Sequence, residues 1–385
     1  MRVRTMMLSI LILLLTMILA ACNTAPKTEV VIIPDNNEAP MVDPASKPVQ
    51  VKTIYRLPGH FSNAGHLLGW SAHDEVISAM NFMSVLEQGT LEQMAYPFEK
   101  STPNTVVGHI NYNTFLSPDG NFFCETLNTS NQTVLKLVSM QDGKKTVLTQ
   151  LNDSSTYIQN VSWSPNSKYV SYLVDRPAFN ANEKPSAVLH IYNMENHLDS
   201  SYSLTLFTAQ DSIFHVDIAN NGTSILMQSY QSSHGQKKVL TMAEASNKKL
   251  DVKYERKIGG DDVSWITNDQ FVFIGSDQSL YEYDRRNGEL SVLLDHVQGF
   301  EFSPDRKSVV YTSLQDQNIV FVGKMQGRNV LYREPIYRGM LPYNMFWNQD
   351  SKSLLIQGSK PWNPAQTSSA SSDGYADEAL VIELE

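Results

Sequence analysis

One stretch constrains this chain more than any other: Phe302-Ser303-Pro304-Asp305-Arg306-Lys307-Ser308-Val309-Val310-Tyr311-Thr312-Ser313. An aromatic residue closes one strand, Ser-Pro-Asp turns the chain, and alternating β-branched and aromatic residues begin the next strand. Proline presets φ for the turn, and Asp bonds to its own backbone two residues on. Looser copies follow Trp70, Leu116, Trp163, Ile218, Trp265 and Trp347, including Leu116-Ser117-Pro118-Asp119-Gly120 and Trp163-Ser164-Pro165-Asn166-Ser167. The seven anchors are spaced by 46, 47, 55, 47, 37 and 45 residues. A period of that length with strand-like flanks is the signature of a β-propeller. Amphipathic runs of helical period are nearly absent.

The unit around Trp265 shows four strands, at 262–265, Gln270–Gly275, 279–284 and 289–295, with Asn287-Gly288 making the last hairpin turn. After the Trp347 kernel only 353–357 and 379–385 read as strands, which leaves that unit one strand short. Residues 51–57 read as a strand with no unit of their own. If they supply the missing outer strand, the ring closes and no edge is exposed. The expected fold is all-β: a seven-bladed propeller over 51–385, closed by its N-terminal strand. Six blades are the alternative, because the Ile218 kernel lacks both the aromatic and the proline.

The chain opens with Arg2 and Arg4, an apolar run from Met6 to Leu19, and Ala20-Ala21-Cys22. That is the grammar of a signal peptide over 1–21, with an apolar core too short for a spanning helix. Leu19-Ala20-Ala21-Cys22 resembles the lipobox of bacterial lipoproteins. The resemblance implies diacylglycerol on the Cys22 sulfur, cleavage just before Cys22 and anchoring at the extracytoplasmic face of the cell membrane. Residues 22–50 hold five prolines and few aromatics and read as a disordered tether. Of 30 basic and 40 acidic residues, removal of 1–21 takes only Arg2 and Arg4, leaving a net charge of −12. That sign argues against nucleic acid as a partner. Cys124 is then the one cysteine besides Cys22, and it reads as a buried structural thiol.

The Phe/Trp-Ser-Pro-Asp-Gly kernels at 116, 163 and 302 resemble the PD40 repeat of TolB-type propellers, with a WD40-like architecture. Joined to the lipobox, the chain looks most like the YqgU-like propeller lipoproteins of Gram-positive bacteria. That family is described as six-bladed. No α/β domain precedes the propeller as in TolB, so a Tol–Pal role does not carry over.

No G-x-S-x-G, no G-x-x-x-x-G-K-[ST] and no H-E-x-x-H occurs. The Asp284-Arg285-Arg286-Asn287-Gly288-Glu289 run puts arginines where calcium ligands belong, so it reads as a turn. No catalytic residue, metal site or cofactor is expected. The expected site lies on the inner strands. Three residues before the anchors stand Leu67, Asn113, Asn160, His215, Asp262, Gly299 and Asn344; one before stand Gly69, Phe115, Ser162, Asp217, Ser264, Glu301 and Phe346. Alternation along a strand aims both sets away from the anchor face, towards a central channel. Asn113, Asn160, His215, Asp262 and Asn344 are therefore candidate binding residues. Insertions at 175–186, 230–238 and 359–378 add Phe179 and Trp362 on one loop-rich face, while the Ser-Pro-Asp turns opposite read as purely structural. The expectation is a monomeric, lipid-anchored, non-catalytic scaffold or sensor that binds protein or glycan. An envelope hydrolase of peptidase or lactonase type, working at the channel mouth, is the alternative.

Overall fold

The computed structural model describes residues 29–31, 48–59, 61, 66–80, 88–111, 113–129, 131–153, 155–176, 186–208, 210–235, 237–361 and 375–385. Residues 1–21, read above as a signal peptide, and Cys22, Phe179 and Trp362 lie outside the described residues. The fold is all-β, and the strand pairings among the described residues are antiparallel. Each kernel closes the inner strand of one antiparallel unit, and these units are called the first to the seventh blade below. Their inner strands are His66–Trp70, Asn113–Leu116, Tyr157–Trp163, Ser212–Ile218, the second half of Lys249–Trp265, Val297–Phe302 and Leu341–Trp347.

The fourth, fifth and seventh blades depart from a simple four-stranded meander. The 17-residue strand Lys249–Trp265 serves both the fourth and the fifth blade. Residues 249–257 pair with Lys237–Ser246, and 258–265 pair with Gln270–Gly275. Gly259 and Gly260 make the crossing: a Cβ there would lie 2.5 Å from the Gly275 carbonyl oxygen or 2.6 Å from the Ile274 Cβ. In the seventh blade the order runs Leu341–Trp347, Ser353–Pro361, Tyr375–Leu384 and then Val51–Arg56. Val51–Arg56 pairs antiparallel with Tyr375–Leu384. Glu29–Val31, inside the stretch expected to be tether, adds a further strand on Val51–Arg56.

The core lies between the blades. Seven hydrophobic clusters among the described residues each join two consecutive blades, for example Cys124 and Leu135 with Val170 and Tyr172. The cluster of Tyr55 and Val381 with Trp70 and Val76 joins the seventh blade to the first. A strand buried from both sides needs apolar residues at successive positions. Val76–Met80 shows it, with all five residues buried. Cys124 is wholly buried there, and burial pushes its thiol pKa up, as suits a structural cysteine.

The kernels explain how blades stay in register. In three of them the Ser hydroxyl meets the Asp or Asn side chain two residues on at 2.6–2.7 Å and accepts a backbone N–H from the returning strand at 3.0 Å. Turns also bond across blades: Asp119 N donates to Ser167 Oγ, Asn166 N to Asn220 Oδ1 and Asp305 N to Ser351 Oγ. The anchor tryptophans do the same one layer in. Trp70, Trp163 and Trp347 each donate Nε1–H to the carbonyl one residue before the preceding anchor in the ring, Phe346, Phe115 and Glu301, at 3.0–3.1 Å. Trp265 occupies the equivalent position at 2% exposure, and its Nε1 has no partner.

That difference gives a measurable expectation. Trp70→Phe and Trp265→Phe remove the same ring atoms, but only the first breaks a hydrogen bond and orphans a carbonyl. Trp70→Phe should cost about 1 kcal/mol more than Trp265→Phe in denaturant unfolding. Equal losses would show that the indole bond adds nothing.

Candidate functional site

A cavity of about 710 Å³ opens on the ring axis at the kernel-turn end. The turns themselves rim it, through Pro118, Pro165, Asn166, Asn220, Pro304 and Gln349. The turns expected to be purely structural thus form the mouth of this cavity. The reason is geometric: consecutive turns bond to one another around the axis and leave the space they encircle unfilled.

β-Bulges decide which inner-strand residues face this space. In the first and the third to seventh blades the register shifts just before the channel-lining residues. A bulge puts two or more residues opposite one and re-aims what precedes it. His215 and Asp217 lie past the bulge of the fourth blade, pair with Gln228 and Leu226 in regular register, and share a face. Leu67 lies before the bulge of the first blade and is buried at 5% exposure instead of lining the channel. Asn160 sits within a bulge at φ +53°, and its Nδ2 reaches Ile213 O of the next blade at 3.5 Å. Asp262 sits in the four-residue bulge that Gly259-Gly260 begins. Strict alternation was the wrong rule at these positions.

The candidates therefore separate. His215 lines the cavity, its Nε2 3.1 Å from Asp217 Oδ2. Asp262 turns its carboxyl in against Gly299 of the sixth blade and accepts a bond from the Phe300 backbone N–H. Asn344 is turned back on its own blade, donating to Gln357 Oε1 at 3.1 Å. Asn113 is exposed opposite Thr126 and is not among the cavity-lining residues. On the loop-rich face, the exposed Tyr230 packs on Phe214 with ring centroids 5.1 Å apart.

Glu301 and Arg306 complete the charged lining. Arg306 holds a left-handed turn position (φ +61°), where the 116 and Ile218 kernels use glycine. Its guanidinium donates to Trp265 O at 2.8 Å. A bulky residue in that conformation is strained, and that signal, an arginine in a glycine position, was readable in the sequence. All four charged lining residues come from the fourth and sixth blades, flanking Ser264 of the fifth. Across the axis stand Leu68, Leu116, Met345 and Phe346. Gly69 lies between them: a Cβ there would meet Leu116 and Phe346 at 3.7 Å. The channel is two-sided, charged on one half and apolar on the other.

The charged half is electrostatically tense. Burial pushes the Glu301 carboxyl up to about 7, with Arg306 pulling it down and Asp262 and Asp217 pushing it further up. Burial also raises Asp262 and lowers Arg306, whose guanidinium nonetheless stays charged. The Asp217 charge raises His215 despite its burial, although 39% of the imidazole surface still meets channel solvent. Among the described residues no group of three or more His, Cys, Asp or Glu is placed to hold a metal ion.

No known family pattern matches the chain, and no curated protein does. Solved structures are similar in fold. The β-propeller domain of the Trilobed protease from Pyrococcus furiosus aligns at 11% identity and TM-score 0.52, covering 77% of this chain and 91% of that one. An acylaminoacyl peptidase in complex with Z-Gly-Gly-Phe-chloromethyl ketone aligns at 11% identity and TM-score 0.52, covering 88% of this chain and 50% of that one. The β-propeller domain of Cps50 (Swd1) from Myceliophteria thermophila aligns at 10% identity and TM-score 0.50, covering 87% and 99%. This chain is a β-propeller. At such identities the likeness is one of fold alone.

Glu301 sets a pH dependence of known sign. The folded protein holds that proton to about 7, whereas the unfolded chain releases it near 4.5. The associated stability, no more than about 3 kcal/mol, is present below pH 4.5 and lost as pH rises through 7. Glu301→Gln stays neutral throughout. Its melting temperature relative to the parent should therefore rise between about pH 5 and about pH 8. A difference that does not change with pH would exclude an ionising Glu301 in the cavity.

Proposed function

We propose that this chain is a cell-envelope lipoprotein whose propeller is a non-catalytic binding module, held at the outer surface of a bacterial membrane by lipid on Cys22. The anchoring part rests on the Leu19-Ala20-Ala21-Cys22 pattern at the end of the apolar run, as in the YqgU-like propeller lipoproteins that the sequence resembles. Two or more acyl chains give stable anchoring where one does not.

The observation that carries the binding role is the axial cavity. Its rim turns and anchors are tied to their neighbours by inter-blade hydrogen bonds, so the site is formed before any ligand arrives. Preorganised concave sites with a few convergent polar groups are where small groups bind. The partner is a protein or glycan of the envelope, engaged at the turn face. The likeness to a peptidase chain extends over about half of that chain and is one of fold, so it adds no catalytic argument.

One experiment reads both parts. In cells expressing the full chain, Cys22→Ser should abolish lipid labelling and move the protein from the membrane fraction to the soluble one. Envelope partners crosslinked to the parent should be recovered with it and lost with His215→Ala/Asp217→Ala. Unchanged membrane association of Cys22→Ser would overturn the anchor. Undiminished capture by the double variant would move the binding site away from the cavity.

A further inference from the structure

The seam between the fourth and fifth blades differs from its neighbours in three independent ways. Its two blades share one strand, Lys249–Trp265, which crosses from the outer edge to the axis through Gly259-Gly260. Its anchor indole, Trp265 Nε1, has no partner, whereas the other three anchor indoles do. Gln228, directly opposite His215 in register and 0% exposed, has neither its Nε2 nor its Oε1 satisfied. Leu226, its neighbour on the same face, packs in the cluster with Trp265 and Phe271, so Gln228 looks into this seam. Orphaned buried amides are rare and costly, since each forfeits its bonds to water.

At its axial end this seam opens on the charged half of the cavity. His215 and Asp217 stand on one flank, Ser264 in the middle, Glu301 and Arg306 on the other. Donors and acceptors are mixed and the two signs nearly balance, which disfavours a ligand of large net charge. A hydroxyl is the group that serves such a set, since it donates to Asp217 or Glu301 and accepts from Arg306 or His215. Opposite, Leu116 and Phe346 offer an apolar wall beside Gly69. A ligand rich in hydroxyls on its rim and bare C–H on its face suits both halves.

We propose that the axial cavity is a saccharide site, in which a pyranose ring lies over Ser264 with its hydroxyls between the Asp217 and Glu301 flanks and its C–H face towards Leu116 and Phe346. The proposal rests on the binding-module reading and gives it a ligand class. Gln228 and the Trp265 indole nitrogen are buried behind the cavity lining and are positioning residues: Gln228 acts on a bound sugar only through His215, its neighbour in register. A cavity of about 710 Å³ has room for one or two sugar units.

Calorimetric titration of the full chain with glucose, galactose, N-acetylglucosamine and their β-1,4-linked disaccharides tests this, with trialanine as the peptide control. Saturable binding of at least one sugar at millimolar or tighter affinity is expected, and none of trialanine. Asp217→Asn and Glu301→Gln should each weaken that sugar about tenfold or more. Gln228→Leu separates site from scaffold. An apolar residue relieves an orphaned amide, so the melting temperature of the variant should hold or rise while sugar affinity falls. Three results would overturn the proposal: no saturable sugar binding, binding that Asp217→Asn leaves unchanged, or trialanine binding that sugar does not displace. A chain that still captures envelope partners but binds none of these sugars would overturn the saccharide class alone and leave the binding module standing.

Discussion

The interaction on which the structure depends is the contact of one blade's face with the next. No blade here has a core of its own. A strand such as Val76–Met80, buried along its whole length, has apolar side chains on both faces, and its sheet is stable only between two others. Burial alone is non-directional and does not fix how far one blade slides or tilts on its neighbour. The directional part falls to hydrogen bonds at the inner ends of the blades. These run from a turn's backbone N–H to the Ser or Asn side chain of the next turn, and from Trp indoles to the preceding carbonyl. The kernel thus serves twice, turning its own chain and gripping its neighbour, which is why it recurs although the strands between copies vary freely.

The same division explains what could be read in advance. The all-β propeller was legible because Ser-Pro-Asp turns and strand alternation are local properties that repeat with a fixed period. The pairing of Val51–Arg56 with Tyr375–Leu384 was legible by counting strands, since an unpaired edge needs a partner. Nothing in the sequence marked Lys249–Trp265 as one ribbon shared by two blades; a hairpin followed by a fresh inner strand was equally compatible with its residues. The register shifts were hidden too. A bulge is a two-against-one match between strands, and neither strand shows it alone. Every parity argument upstream of a bulge was therefore exposed to error. Leu67, buried instead of lining the channel, is the plain case.

The site was half legible for the same reason. His215 and Asp217 stand between bulge and anchor, where alternation holds, and both reach the cavity. Asn344 stands there as well, but its amide is satisfied by Gln357 on its own blade, a contact set by the second strand and not by parity. Arg306 was overlooked because it sits in a turn, and turns were assigned a structural role. Yet a left-handed arginine costs backbone energy that glycine at Gly120 or Gly222 avoids. Its reach to Trp265 O offers the compensation: the residue that strains the turn is also the one that carries a cation to the axis.

The repeat is imperfect in several places, but its departures are densest at the seam between the fourth and fifth blades. A repeat selected only for stability would close every seam alike. Here the seam with a shared strand is also the one with an orphaned indole, an orphaned buried amide and charged residues on both flanks. These features come from four separate stretches of sequence, around 215, 228, 260 and 301–306, and only folding brings them together. Each is destabilising by itself: unmet buried polar groups, a left-handed arginine, and a carboxyl held near neutrality by burial. Such penalties gathered along one seam mark where local consistency has been given up, and that is where function is to be looked for.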